Sequence, residues 1–242
     1  MSLIRGERES QTSHTSVGGQ LIPNYDTEIP KKFRSKALGD IPGLGIKKLF
    51  RMLILGPSYS GKTNLVMHIL KHSPNVFSHL HIIARNSDQP LYDFLREKLK
   101  GFITVHESPP SVDSIRVTPI NSKKVELVII DDYSNDKLLM KNQFSHYFTR
   151  GRHHFLSTIF ISHSYFGTEK IIRLNSEYIA ILKANSKRDL KLVVTDFNIP
   201  GLNETGIVKY YNQAISRGKG QFLFIDSVKS QLRYNFDKVI EM

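Results

Sequence analysis

Eight residues constrain the fold more than any others in the chain. Gly56-Pro57-Ser58-Tyr59-Ser60-Gly61-Lys62-Thr63 follows the pattern G-x-x-x-x-G-K-[ST]. The two glycines let the backbone wrap closely, so that successive N–H groups converge on phosphate oxygens. Lys62 brings a cation to the β and γ oxygens, and the Thr63 hydroxyl completes a Mg²⁺ shell. Such a loop works only between a strand and a helix. Residues 50–55 are a nearly continuous apolar run closed by Gly56, which reads as a buried strand. Residues 64–72 place Leu65, Val66, Ile69 and Leu70 at helical spacing. The context therefore predicts a cradle for ATP and Mg²⁺ over residues 56–63, with Asn64 beside it. A glycine-rich turn with an incidental lysine is the plainer alternative, and it leaves the flanking pattern unexplained.

Short apolar runs then alternate with helical patterns. Strands are predicted at 79–84, 102–106, 126–131, 157–162, 178–183 and 221–226. Helices are predicted at 91–99, 138–148, 169–174 and 207–217, and residues 233–240 are ambiguous. Strands apolar on both faces, alternating with helices, predict a mostly parallel sheet covered on both sides, in an α/β fold. Residues 1–45 are rich in Ser, Thr, Gly, Pro and charge, and are expected to be a flexible arm ahead of one P-loop domain at 46–242.

Val125-Glu126-Leu127-Val128-Ile129-Ile130-Asp131-Asp132 ends an apolar strand in two acids. In open α/β sheets ligands collect at the carboxyl ends of strands, which brings both acids toward the phosphates. Asp131 is expected to hold Mg²⁺ through its water shell, and Asp132 to act as general base on the attacking water. Asp-Asp-Tyr-Ser-Asn is also good turn composition, so a plain polar turn is the alternative. A strand intervening between the acid strand and the P-loop strand would mark a RecA-like motor, whereas adjacent strands are more usual in nucleoside kinases and signalling GTPases. A GTPase would need an Asn-Lys-x-Asp base reader, and Asn185-Ser186-Lys187-Arg188-Asp189 has an extra residue and the wrong order.

Charge and composition narrow the classes further. Lys and Arg number 34 against 22 Asp and Glu, a net charge of +12 that favours a polyanion such as nucleic acid over an ordinary basic surface. The excess is dispersed: Lys31, Lys32, Arg34, Lys36, Lys47 and Lys48 precede the loop, and Lys183, Lys187, Arg188 and Lys191 lie far downstream. The absence of cysteine excludes disulfides and cysteine-bound metals. No apolar run approaches the ~18 residues that span a bilayer, and residues 1–20 do not read as a secretory signal, so a soluble intracellular protein without a membrane partner is expected.

Farther along come Arg150-Gly151-Arg152-His153-His154, then Ser162-His163-Ser164-Tyr165-Phe166, then Arg173-Leu174-Asn175. The first is a basic turn, the second the polar end of a buried strand, the third the end of a helix. His163 falls at the phosphate edge of the sheet and either senses the γ-phosphate or merely caps a strand. The arginines either stabilise transition-state charge or solvate a loop.

Taken in order, this P-loop, the Asp131-Asp132 strand end, the Gly151-Arg152-His153 turn, the Ser162-x-Ser164-Tyr165-Phe166 strand end and the Arg173-x-Asn175 helix resemble the viral genome-packaging ATPases. These form the poxvirus-type branch of the FtsK–HerA superfamily, also found in large DNA viruses and virophages. The resemblance covers about residues 48–185. It implies a RecA-like core, a homo-oligomeric ring (hexamer or pentamer) and ATP-driven translocation of double-stranded DNA into a capsid, in the virion or the host-cell cytoplasm, with capsid proteins as further partners. It implies Lys62 on the phosphates, Thr63 and Asp131 on Mg²⁺, Asp132 on the water, His163 as sensor, and Arg152 or Arg173 as a finger acting in trans. Two positions depart from the family pattern. His163 stands where glutamine is common, and Asp132 where the superfamily often has glutamate. Two rivals are a nucleoside or nucleotide kinase and a nucleotide-gated DNA-binding or capsid-anchoring protein without significant turnover.

Overall fold

Alternate residues of each central strand are apolar on opposite faces, and this decides the layering. The computed structural model of the chain describes residues 29–30, 38–184 and 186–242. Six parallel strands form the centre: β3 (Arg51–Leu55), β4 (Phe77–Ala84), β5 (Ile103–His106), β6 (Val125–Asp131), β7 (Leu156–Ser162) and β8 (Tyr178–Ile181). Their order is β8-β3-β7-β6-β4-β5. One face, from Met52, Ile54, Ile82, Leu127 and Ile129, packs on helices α1 (Lys62–Lys71) and α2 (Pro90–Lys98) through Leu65, Val66, Ile69, Tyr92 and Leu95. The other, from Leu53, Leu55, Val128, Ile130 and Phe160, meets the remaining helices. These are the helical run α3 (residues 137–149), α4 (Lys170–Leu174), α5 (Lys187–Asp196) and α6 (Glu204–Ile215). Each fully buried aliphatic or aromatic side chain here is worth about 1.5–3 kcal/mol. The chain is thus a RecA-like α/β P-loop fold, with a mostly parallel sheet and helices on both faces.

β7 is the intervening strand. It pairs with β3 from Arg51↔Thr158 to Leu55↔Ser162 and with β6 from Glu126↔Leu156 to Ile130↔Phe160. The strand predicted at 79–84, which lies between the two motifs in sequence, is β4 and pairs on the far side of β6.

Several elements differ from the sequence pattern. β9 (Leu223–Asp226), β10 (Gln231–Tyr234) and β11 (Lys238–Val239) extend the sheet antiparallel to β8 and to one another. Helix α5 was absent from the sequence prediction. α6 starts three residues earlier than its apolar pattern, because the Asn203 side chain accepts from Gly206 N at 2.7 Å and caps it. The run 137–149 contains a π turn at Met140–Phe144, where Gln143 reaches the carbonyls of Pro109 and Pro110. Residues 38–45, expected in the arm, belong to the folded body. β1 (Asp40–Ile41) and β2 (Ile46–Lys47) pair, and Ile41, Leu44 and Ile46 are buried in the core. The rest of the expected arm lies outside the described residues, apart from 29–30.

Candidate nucleotide-binding and hydrolytic site

The P-loop leaves β3 at Gly56 and enters α1 at Lys62. Gly61 sits at φ +94° as the residue before the helix, a left-handed conformation that strains any L side chain. Gly56 makes room for the Ser60 side chain: a Cβ there would lie 2.4 Å from Ser60 Oγ, which would have to turn away. The turn between them exposes Tyr59 completely, at φ +62°, with Pro57 and Ser58 preceding it. Backbone N–H groups at the start of α1 have no intrahelical acceptor and carry the positive end of the helix dipole, the usual geometry of an anion site. Two further observations fit a phosphate. Lys62 Nζ donates to the loop's own Pro57 carbonyl at 2.9 Å, a contact that a phosphate oxygen would replace. Ser60 Oγ is buried without a hydrogen-bond partner. Burial lowers the Lys62 pKa, while the charges of Asp131 and Asp132 push it back up. Both carboxylates are therefore near enough for their charge to act on the ammonium.

The two acids differ in environment. Asp131 closes β6, is only 8% exposed, and accepts a hydrogen bond from the Tyr92 hydroxyl at 2.6 Å through Oδ2. Its carboxylate and the Thr63 hydroxyl are both hard oxygen donors, the type that Mg²⁺ takes. Asp132 has left the strand at φ +63°, a conformation Asp tolerates, and its side chain is 49% exposed. His163, at the end of β7, brings Nε2 to 3.9 Å from Asp132 Oδ1. Cradle, acids and His163 thus converge on one sheet edge. Beside them an open cleft of about 470 Å³ is lined by Ser60, Gly61, Asn64, His68, Gln221 and Phe236.

The arginines are placed elsewhere. Arg173 is buried, its Nε 3.0 Å from Asp196 Oδ2, and its NH1 faces the carbonyls of Tyr165, Phe166 and Thr168. Arg150 pairs with Asp113 at 2.5 Å. Arg152 is exposed and shares a hollow with Arg51, Leu156 and Glu177, at the amino ends of β3, β7 and β8. That is the sheet edge opposite the P-loop.

Sequence reasoning missed Tyr92 and Asp196. Tyr92 is the third residue of α2, a helix that reads as plainly amphipathic, and nothing in its spacing announces a hydroxyl aimed at an acid 39 positions away. Asp196 ends the helix that went unpredicted.

No protein-family model and no curated protein matches the sequence. Solved structures do match in fold. The genome-packaging NTPase B204 of Sulfolobus turreted icosahedral virus 2, in complex with sulfate, superposes with a TM-score of 0.58 at 14% identity, over 81% of this chain and 100% of that one. Its complex with ATP-gammaS gives 0.54 at 14% identity over the same shares. B204 of Sulfolobus turreted icosahedral virus, described as a DNA-packaging ATPase, gives 0.52 at 16% identity, over 79% and 98%. Across most of its length this chain has the fold of a viral genome-packaging NTPase.

Proposed function

We propose that this chain is an ATP-hydrolysing motor that moves double-stranded DNA into a capsid as part of a homo-oligomeric ring. The observation that supports the reading best is the convergence of Lys62, Asp131, Asp132 and His163 on one edge of a sheet in which β7 separates the loop strand from the acid strand. The fold shared with B204 and the net charge of +12 point the same way.

Lys62 and the backbone N–H groups of the loop, Pro57 excepted, hold the triphosphate. Thr63 and Asp131 hold Mg²⁺, which when bound neutralises charge on the β and γ oxygens. Asp132, half open to solvent, accepts a proton from the attacking water, and His163 beside it reports whether a γ-phosphate is present. The finger is assigned to Arg152 in preference to Arg173. Arg173 is committed to Asp196, whereas Arg152 is exposed and makes no ion pair among the described residues. Since Arg152 lies at the far edge from its own P-loop, it serves a neighbouring subunit, and the complete site forms only in the ring.

The test is ATP turnover by the purified full chain with and without duplex DNA. Duplex should raise the rate, and Lys62→Ala should reduce turnover to background. Turnover close to wild type in Lys62→Ala would refute the cradle. A rate indifferent to DNA would favour a kinase, and ATP binding without turnover a gated DNA-binding protein.

A further inference from the structure

Four of the nine positions from 183 to 191 are cationic: Lys183, Lys187, Arg188 and Lys191. Lys191 falls four positions after Lys187 and three after Arg188 on the first turns of α5, and all three are exposed. Glu204 holds Lys191 at 2.6 Å, and the Arg188 guanidinium lies 3.7 Å over the Phe166 ring. The acid within this run, Asp189, is turned inward and buried, and takes no charge from the face. Its Oδ1 accepts from Ser164 Oγ at 2.9 Å and from Phe166 N at 2.8 Å. Ser164 and Phe166 belong to the turn that leaves β7 directly after His163. The far end of α5 is tied to the same turn: Asp196 accepts from the Tyr165 hydroxyl at 2.9 Å and pairs with Arg173.

We propose that the amino-terminal face of α5, through Lys187 and Arg188, contacts the phosphates of duplex DNA, and that Asp189 couples this face to the ATP site through the 163–168 turn. The proposal rests on the motor reading above and names the surface that reading leaves unassigned. The physical argument is connectivity. Any shift of His163 on gain or loss of a γ-phosphate is carried into residues 164–166 of that turn, which α5 grips through Asp189, Arg188 and Asp196. Coupling of this kind is reciprocal, so DNA on α5 biases the ATP site by the same factor that nucleotide biases DNA affinity. Asp189 is a positioning residue and touches neither substrate.

The experiment measures duplex affinity across a salt series and ATPase stimulation by duplex, on the full chain. Lys187→Ala/Arg188→Ala should lower the slope of log affinity against log salt by about 2, one per lost phosphate contact. An unchanged slope and affinity would overturn the surface assignment. Asp189→Ala should bind duplex with the wild-type slope yet lose stimulation, its ratio of DNA-bound to free turnover falling toward one. Asp189→Asn keeps an acceptor oxygen and should restore the ratio. Full stimulation in Asp189→Ala would overturn the coupling. If Asp189→Ala does not fold, Ser164→Ala removes the hydroxyl partner alone and should lower the ratio in the same direction, and an unchanged ratio there would overturn the coupling too. Should wild type bind duplex without any stimulation, the motor reading and the coupling fall together, while the salt slope still decides the surface.

Discussion

The Tyr92 hydroxyl donates to Asp131 Oδ2 at 2.6 Å, with Tyr92 fully buried and Asp131 nearly so. Burial raises the Tyr92 pKa well above that of a free phenol, and the charge of Asp131 adds to the rise. The hydroxyl therefore stays a donor at every working pH and fixes one carboxylate oxygen, leaving the other for the Mg²⁺ proposed above. Tyr92→Phe leaves a buried acceptor unpaired, at a cost of about 1–3 kcal/mol in stability. Thermal unfolding should show that loss, and the Mg²⁺ concentration for half-maximal ATPase should rise several-fold. An unchanged Mg²⁺ requirement would remove Tyr92 from the site.

The paired acids should separate by mutation. Asp132→Asn keeps size and hydrogen bonding but not the base, so ATP should bind normally while turnover fails. Asp131→Asn should instead shift the Mg²⁺ dependence. Equal loss of nucleotide binding in both variants would mean that the two roles are wrongly divided.

Arg152 and the P-loop sit at opposite edges of one sheet, so complementation between subunits is the natural test. Lys62→Ala and Arg152→Ala should each be inactive alone. Mixed in one ring, some interfaces pair an intact P-loop with an intact arginine, and ATPase activity should partly return. Trans fingers are worth ~10³–10⁵ in rate, which makes even a small recovery measurable. No recovery in rings shown to mix would exclude the trans role.

Acid should weaken the fold in two steps. His81 lies 3.1 Å from His106 and 2.8 Å from Glu126, all at the edge of the sheet formed by β4, β5 and β6. Burial, with the neighbouring charges of His81 and His79, lowers His106 to about 4. The unfolded chain therefore binds the extra proton first, and stability falls as pH drops from the ordinary histidine range toward 4. Burial alone would raise Glu126, but hydrogen bonds from His81 and Thr118 overcome it and hold the carboxyl at about 2. Its contribution is complete above its unfolded value and is lost as pH falls toward 2. Urea midpoints measured from pH 7 to 3 should decline throughout. His106→Gln should flatten the upper part of the decline and leave the lower part, and an unaltered upper part would contradict the assignment.

The centre of this fold was legible because its signals are local. The P-loop fixes a strand–loop–helix, and the apolar run ending in Asp131-Asp132 fixes a second strand end at the same edge. The parts that were not legible depend on distant partners. Helix α5 reads as polar because its inward acid, Asp189, is satisfied by Ser164 and Phe166 N, 25 and 23 positions away. Arg173 looked available as a finger for the same reason, since its partner Asp196 closes that unpredicted helix. Arg152 was a candidate finger from its basic turn, and only the strand register shows that it lies at the far edge. The strand at 221–226 was legible, but its antiparallel neighbour β10 was not, since it is tied on by the buried Arg233–Asp226 pair, another contact the apolar pattern does not encode.

The central claim is that ATP turnover moves the chain along duplex DNA, and displacement of a third strand from a duplex tests it most directly. The wild-type protein, given ATP and Mg²⁺, should displace a triplex-forming oligonucleotide at a rate that tracks its DNA-stimulated ATPase. Lys62→Ala should displace none. DNA-stimulated hydrolysis with no displacement, or displacement without ATP, would contradict the account.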